Sequence, residues 1–103
     1  MDATVKRRWV EALRSGEYPQ AKGWLRSNGL SGLGFCCLGV LCDLRSPTGW
    51  EEENGSFMGE HDFPPPVVAT WAGLNFEQQK VVAEMNDNGK SFAEIADYIE
   101  KKL

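Results

Sequence analysis

One stretch of the chain, residues 34–44, is almost wholly apolar and carries all three cysteines. Its single charged residue, Asp43, lies near its end. Such a segment has no polar face to present to water, so we expect it at the centre of the fold. Its leucine content and its few β-branched residues favour a helix that begins near Cys37 and ends before Pro47. Gly39 would let a neighbouring segment approach this helix closely.

Length and charge limit what this chain can be. Its 103 residues predict a single domain, residues 1–103, with one modest core. With 42% hydrophobic and 25% charged residues, the composition is that of a globular protein. A net charge of −4 does not favour binding to DNA or to an anionic membrane. We expect a cytoplasmic protein with reduced cysteines, because the sequence shows neither a signal-peptide pattern nor a membrane-spanning apolar run.

Hydrophobic periodicity and capping residues predict four further helices. The first covers residues 2–15, is capped by Asp2 and has a basic outer face. The second starts at Pro65 or Pro66 and stops at Gly73. The third and fourth each open with a capping box, in which two side chains bond to each other's backbone N–H groups. The boxes pair Asn75 with Gln78 and Ser91 with Glu94. The residues predicted to be buried are Val5, Trp9, Ala12 and Leu13 in the first helix, Val81, Val82 and Met85 in the third, and Phe92, Ile95, Ala96, Ile99 and Leu103 in the fourth.

Two Asn-Gly pairs mark predicted turns. Asn28 and Gly29 lie between two short apolar segments and predict a hairpin, although the spacing of nearby apolar residues also fits a brief helix capped by Gly29. Asn54 and Gly55 predict a second hairpin. The sequence therefore predicts an α+β domain in which about four helices pack around a buried, cysteine-rich central helix, with one or two short β-hairpins.

Familiar catalytic and metal-binding patterns do not account for the polar residues. No two cysteines have the two-residue gap of a zinc knuckle, and buried thiols are poor nucleophiles, so we expect core cysteines without a metal. Residues 86–89 belong to a segment that lacks the final glutamate of a calcium loop, and we expect a turn there. Residues 89–96 are similar to the opening of a helix-turn-helix module, but no recognition helix follows, so DNA binding is not expected. We expect no enzymatic activity and no cofactor.

The best candidate for a binding site is residues 14–26, which follow the first helix. Here positive and planar side chains coincide in an otherwise acidic chain. Guanidinium groups pair with phosphates, amides read a base or ribose edge, and aromatic rings stack on bases. The structural alternative is a polar connection whose aromatic residues pack on the core. The predicted ligand contacts are Arg14, Tyr18, Gln20, Lys22, Trp24 and Arg26, with Asn86 and Asp87 as secondary candidates because their turn is expected near the same face.

Four blocks of sequence, which together span nearly the whole chain, carry a family resemblance. They are residues 9–16 with Tyr18 and Gln20, then residues 35–44, 71–74 and 85–97. In combination they resemble a family of small, uncharacterised proteins common in bacteriophage and prophage genomes. Ala21 stands where that family pattern has glycine. The resemblance implies a phage origin and the cytoplasm of the host cell, and it assigns no reaction.

A small phage protein without catalytic residues most often acts by binding. We expect it to sequester a small anionic, nucleotide-like ligand at residues 14–26, such as a nucleotide-derived host immune signal, and so to blunt antiviral defence. The alternative is an inhibitor that docks on a host protein through its acidic loop, residues 51–62. A metal-binding regulator that uses the cysteines is a third reading. The sequence leaves open whether the chain acts alone or as a homo-oligomer.

Overall fold

The computed structural model describes residues 1–29, 32–51 and 55–103. Within these ranges the chain forms five helices and one two-stranded antiparallel sheet, which confirms the predicted α+β class. In chain order the elements are α1 (Ala3–Arg14), β1 (Arg26–Gly29), β2 (Gly32–Phe35), α2 (Cys37–Arg45), α3 (Pro66–Ala72), α4 (Phe76–Asp87) and α5 (Phe92–Lys102). None of these helices is long and apolar enough to cross a membrane.

Helix α2 lies at the centre of the molecule. All residues from Cys37 to Cys42 are buried, so no face of its first two turns is in contact with water. The helix ends at Arg45, two residues before Pro47, as the sequence predicts. The buried central helix is therefore confirmed, and the other helices supply the polar surface that α2 lacks.

Side chains from α1 and α4 hold the first turn of α2. Trp9 Nε1 of α1 donates a hydrogen bond to the carbonyl oxygen of Cys37 at 2.9 Å. Cys37 Sγ donates to the carbonyl oxygen of Val82 in α4 at 3.4 Å. Both bonds are buried, where an unpaired polar group would cost about 1–3 kcal/mol. They therefore fix α2 between α1 and α4.

Gly39 lets the segment before the hairpin pass directly over α2. A Cβ at this position would overlap the carbonyl oxygen of Leu25. Leu25 is fully buried, and its carbonyl oxygen accepts a hydrogen bond from Cys36 N at 3.2 Å. The close approach predicted for Gly39 is thus confirmed. Its partner is the connector, residues 15–25, which joins α1 to β1.

The terminal helices begin where the capping residues predict. Asp2 accepts a hydrogen bond from Val5 N at the start of α1, and the reciprocal Ser91–Glu94 box opens α5. The two helices pack against each other along their apolar stripes. The predicted stripes differ from the structure in detail, because Val10 is buried whereas Ala12 and Leu103 are half-buried.

Helix α3 also agrees with its prediction. It starts at Pro66 and ends at Gly73, whose φ of 71° is the left-handed conformation that glycine adopts at helix ends.

The capping box of α4 is confirmed, and so is the predicted burial of Val82, but the rest of its predicted buried face is wrong. Val81 is 39% exposed and Met85 is half-buried, whereas the amide residues Gln79 and Asn86 are buried beside Val82. Gln79 Nε2 donates to two carbonyl oxygens at the start of α4, at 3.3 and 3.4 Å. Amides can be buried here because nearby backbone groups satisfy them, which apolar periodicity does not report.

Strands β1 and β2 form the first predicted hairpin, but its turn lies elsewhere. Asn28 pairs with Leu33 and Gly29 pairs with Gly32, so both residues of the predicted turn belong to β1. Residues 30–31, between the strands, lie outside the described residues. The alternative interpretation, a brief helix capped by Gly29, is wrong.

The connector runs beside the other edge of β2 and fixes its position. Phe35 N donates to the carbonyl oxygen of Pro19, and Ala21 N donates to the carbonyl oxygen of Phe35, both at 2.8 Å. A Cβ on Gly34 would lie 2.8 Å from Ala21 Cβ, so this approach also depends on glycine. These long-range contacts set the register of β2, and the local Asn-Gly signal carries no information about them.

The second predicted hairpin falls partly outside the described residues, because residues 52–54 are not described. On either side of them, Trp50 and Phe57 form a single antiparallel bridge. Phe57 is completely buried, and its ring lies 5.0 Å from that of Trp50. Aromatic packing therefore attaches this loop to the core.

We predict that Gly39→Ala lowers the free energy of unfolding by about 3 kcal/mol or more, because the new Cβ must push the connector away from α2. Urea unfolding followed by circular dichroism measures the loss. Gly29→Ala is the matched control: nothing lies within 4 Å of the Cβ that it adds, and its cost should stay below about 1 kcal/mol. Equal losses in the two variants would contradict the close packing of α2.

Candidate functional site

Arg14, the first predicted ligand contact, lies at the contact between α1 and α5. Its guanidinium pairs with Asp97 at 2.6 Å and with Glu100 at 3.1 Å. The hydrogen bond to Glu100, followed by the one to Asp97, raises the pKa of Arg14 above its ordinary value. Two carboxylates thus already compensate this charge, and Arg14 is poorly placed to attract a phosphate.

Tyr18 fastens the connector to α2. Its hydroxyl donates to Asp43 Oδ2 at 2.6 Å, and Trp50 Nε1 donates to Asp43 Oδ1 at 3.0 Å. The Tyr18 ring also packs edge-on against Phe35 at 5.1 Å. Burial, followed by the hydrogen bond to Asp43, raises the pKa of the Tyr18 hydroxyl. This arrangement satisfies the one charge of the apolar stretch.

Gln20 and Asn86 form one hydrogen-bonded unit beneath the connector. Gln20 Nε2 donates to Asn86 Oδ1 at 3.0 Å and to the carbonyl oxygen of Lys90 at 2.7 Å. Asn86 is fully buried; its Nδ2 donates to the carbonyl oxygen of Ala21 at 2.7 Å, and its Oδ1 also accepts from Cys37 N at 3.3 Å. These side chains therefore join the connector, α2 and the end of α4, and their polar atoms are occupied within the fold.

Asp87 also lies beside the connector, which agrees with the expectation that its turn lies near the same face as residues 14–26. Its Oδ1 accepts a hydrogen bond from Gly23 N at 2.9 Å. Lys22 and Trp24, on either side of Gly23, are both exposed, and Trp24 is 47% exposed. These residues remain open to solvent next to a carboxylate.

Arg26, on β1, lies over an aromatic ring that shares the Asp43 carboxylate with Tyr18. Its guanidinium carbon is 4.6 Å from the centroid of the Trp50 ring. Its Nε atom is buried and has no hydrogen-bond partner among the described residues. The eight predicted residues are thus distributed over several places: one group lies near Gly23 and Asn86, Tyr18 and Arg26 lie around Trp50, and Arg14 pairs with α5.

The connector and the acidic loop, predicted as separate candidates, meet in the structure. Leu25 N donates to the carbonyl oxygen of His61 at 2.7 Å, and the Trp24 ring lies 4.9 Å from the His61 ring. Beyond His61, the Phe63 ring lies 5.0 Å from that of Phe76, which is 56% exposed. We call these four aromatic residues, Trp24, His61, Phe63 and Phe76, together with the cleft beside them, the Trp24–Phe76 surface.

The cleft of this surface has a volume of about 200 Å³ and two carboxylates in its lining. It is lined by Gly23, Cys36, Asp62, Phe63, Ala83 and Asp87. Asp62 comes from the acidic loop and Asp87 from the end of α4, so folding brings together charges that are distant in sequence. The cleft therefore combines an apolar wall with negative charge.

Sequence reasoning missed Phe63, Phe76 and Met58. Phe76 follows the cap residue Asn75, where the first position of α4 leaves the ring exposed. Met58 is 49% exposed and has a φ of 49°, an uncommon conformation for a residue other than glycine. The exposure of Phe76 could have been predicted, because the sequence places it directly after the cap residue of α4. No sequence pattern predicts the backbone conformation of Met58.

The acidic loop itself contains a structural carboxylate. Glu51 Oε1 accepts hydrogen bonds from Ser56 Oγ at 2.6 Å and from Gly59 N at 2.7 Å. The bond from Ser56, then the one from Gly59, lowers the pKa of Glu51. Glu60 and Asp62 are exposed, and the other predicted acidic residues, 52–53, lie outside the described residues.

The cysteines are buried and protonated at neutral pH. Burial raises the pKa of the Cys36 thiol from 9.0 to about 11, and it raises the pKa values of Cys37 and Cys42 further. Cys36 Sγ accepts a hydrogen bond from Gly39 N at 3.4 Å. Over residues 1–29, 32–51 and 55–103, no group of three or more His, Cys, Asp or Glu residues is placed to hold a metal ion.

Comparison with known proteins places the chain in an uncharacterised family. A family model described as a domain of unknown function, DUF8296, matches residues 1–103. No curated protein and no solved structure matches the chain.

We predict that Asn86→Ala lowers the free energy of unfolding by about 3 kcal/mol, because it leaves Ala21 O, Cys37 N and the Gln20 amide without this partner. Asn88→Ala, which changes an exposed side chain two residues further along the chain, should change the free energy of unfolding by less than about 0.5 kcal/mol. Chemical unfolding of the two variants measures the difference. A fully stable Asn86→Ala protein would contradict the structural role of this amide.

The raised thiol pKa values predict a loss of stability at alkaline pH. In the unfolded chain the thiols ionise near pH 9.0, whereas in the folded chain Cys36 ionises near 11 and the other two higher still. Between these values the folded state binds more protons, so the free energy of unfolding falls as pH rises. Urea unfolding under reducing conditions should show a decrease of about 1 kcal/mol or more from pH 8 to pH 10. A Cys42→Ala variant should show a shallower decrease; an unchanged slope would contradict this origin.

Proposed function

We propose that the chain, which belongs to this family of unknown function, is a non-catalytic binding protein that docks on a partner protein through the Trp24–Phe76 surface. The observation that carries the proposal is the exposure of two large aromatic side chains on one surface. Trp24 is 47% exposed and Phe76 is 56% exposed. Aromatic residues are enriched at protein interfaces, and a small domain gains nothing in stability by leaving them in water.

Contacts within the surface support its use as a preformed interface. Trp24 rests against His61, and Phe76 rests against Phe63, so each exposed ring is held by a second one. The backbone bond from Leu25 N to His61 O ties the two segments together. A surface that is ordered before binding loses less conformational entropy when a partner arrives.

The charge of the cleft supports a partner with basic side chains. Asp62 and Asp87 line it, and Asp87 uses one oxygen to accept a bond from Gly23 N. Glu60 is exposed on the adjoining loop. Lys80 lies 5.8 Å from the Phe76 ring, at the outer edge, and is 4.0 Å from Glu77. A lysine or arginine of the partner would meet carboxylates in the cleft and aromatic faces beside it.

A binding role also agrees with the state of the nucleophilic groups. Burial keeps the three thiols protonated, and the Tyr18 hydroxyl is committed to Asp43. Glu51 holds its loop together through Ser56 and Gly59 and is ionised at neutral pH. These groups have structural tasks, so we propose no chemical step for them.

The sequence resemblance to phage proteins gives this proposal a setting. A phage protein of this kind would act in the cytoplasm of the host cell, where it would occupy the surface of a host protein and inhibit it. One molecule of this protein bound to each molecule of the host protein would be sufficient for inhibition, and no catalytic turnover would be needed.

Capture of a nucleotide-derived signal at the connector is the second candidate function. The exposure of Lys22 and Trp24 on either side of Gly23 favours it, because an ammonium group and a ring could hold a phosphate and a base. Arg14 and Gln20 are committed to contacts within the fold, which leaves this site with fewer donors than the sequence suggests.

Selection from a random peptide library displayed on beads tests the docking proposal. We predict that the protein enriches peptides that contain lysine or arginine beside apolar residues. Trp24→Ala and Asp62→Asn should each weaken binding of a selected peptide at least about tenfold, since they remove a ring and a charge from the surface. Fluorescence anisotropy of the labelled peptide measures the affinity.

The matched control is Leu33→Ala, which removes a side chain that is 44% exposed on β2, outside the surface. The affinity of the Leu33→Ala variant for the selected peptide should equal that of the unchanged protein. The proposal fails if no peptide is enriched, or if Trp24→Ala and Leu33→Ala bind equally well. Sedimentation of the protein alone tests for self-association. If the protein is a dimer and the Trp24→Ala variant is a monomer, this surface is a homo-oligomer interface instead.

A further inference from the structure

Helices α1, α2 and α3 bring two arginines to one tryptophan ring. The guanidinium carbons of Arg8 and Arg45 lie 5.9 and 5.8 Å from the centroid of the Trp71 ring. None of the three residues belongs to the Trp24–Phe76 surface or to the predicted ligand contacts. They come from three different helices, so only the folded chain assembles this arginine–tryptophan cluster.

The two guanidinium groups of the cluster form no ion pair with a carboxylate of the described residues. Within the described part of the chain, neither Arg8 nor Arg45 has a carboxylate oxygen within 4.0 Å, in contrast to Arg14 with its two. Both side chains are exposed. Arg8 donates one hydrogen bond, to the carbonyl oxygen of Leu44 at 3.3 Å, and keeps its remaining N–H groups. Guanidinium groups with free donors are the preferred protein partners of phosphate oxygens.

An apolar strip adjoins these charges on α3. Val67 is 46% exposed and lies four residues before Trp71, so the two side chains share one face of the helix. Trp71 itself is half-buried and keeps part of its ring in contact with solvent. A flat, apolar group attached to a phosphate would find both kinds of contact side by side.

The negative groups nearby favour a short anion. Glu11 and Glu17 line a cleft of about 320 Å³ together with Arg8 and Leu44. A long polyanion that extended into this cleft would meet like charge. A ligand whose phosphates stay between the two guanidinium groups avoids it.

We propose that the arginine–tryptophan cluster binds a nucleoside diphosphate, with Arg8 and Arg45 pairing with the phosphates and the base lying along Val67 and Trp71. This site is separate from the docking surface, and the two proposals stand or fall independently.

Isothermal titration calorimetry of the full chain with the common nucleoside diphosphates tests the proposal. At least one diphosphate should bind more tightly than its nucleoside or inorganic pyrophosphate, because each fragment keeps half of the contacts. Arg45→Gln should weaken that binding at least tenfold, and added salt should weaken it in the native protein. Arg45 is the primary variant, because Arg8→Gln also removes the bond to Leu44 O and requires a parallel unfolding measurement.

Two controls separate this site from its alternatives. Arg7→Gln removes an equal charge from the neighbouring exposed position of α1 and should leave the affinity unchanged. Lys22→Gln should also leave it unchanged; if it abolishes binding while Arg45→Gln does not, the ligand sits at the connector and the proposal is wrong. It is equally overturned if no diphosphate binds at millimolar concentration, or if single-stranded RNA binds and the mononucleotides do not.

Discussion

The complete burial of α2 is the constraint on which the rest of the structure depends. Because the side chains from Cys37 to Cys42 offer water no polar face, other elements must cover them, and α1, α3, α4 and β2 pack against this helix. The backbone of Cys37 shows how the cover is attached: its N–H donates to Asn86 of α4, and its carbonyl oxygen accepts from Trp9 of α1. The start of α2 is thus the joint between the N-terminal and C-terminal halves of the chain, and Gly39 admits the connector to the same place.

This joint explains why several polar residues near the connector form hydrogen bonds within the fold. An irregular segment that passes over a buried helix carries backbone groups that need partners. Asn86 and Asp87 supply such partners at Ala21 O and Gly23 N, and the Gln20 side chain ties the connector to backbone atoms of Lys90 and Phe92. The density of polar side chains that suggests a ligand site in the sequence is therefore, for these residues, a consequence of how the connector is held. What the fold leaves exposed is the ring of Trp24 beside Lys22.

Local signals in the sequence predicted the helices well, but they did not predict which side chains meet at the surface, and there is a physical reason. Capping boxes such as Ser91–Glu94 and the uninterrupted apolar run of α2 are encoded within a few residues, and the structure follows them. The buried amide of Asn86 depends on carbonyl and N–H groups from distant segments, so a periodicity rule finds Val82 but misses Asn86 on the buried face of α4. The contact of Trp24 with His61, and that of Arg8 and Arg45 with Trp71, arise in the same long-range way. A surface assembled from separate elements has no local pattern to read.

The two ends of α2 organise the charge of the molecule. Asp62 and Asp87 share a cleft with Cys36, the N-cap, whereas Arg45 lies in the last turn and Arg8 bonds to Leu44 O. A helix of this length separates them by roughly 14 Å. Carboxylates at the positive end of the helix dipole and guanidinium groups at the negative end are a stabilising arrangement in their own right. The dipole amounts to about half an elementary charge at each end, against two charged side chains. Most of the side-chain charge therefore exceeds what balances the helix dipole, and it is available for the cationic partner that we propose at one end and the anionic ligand that we propose at the other.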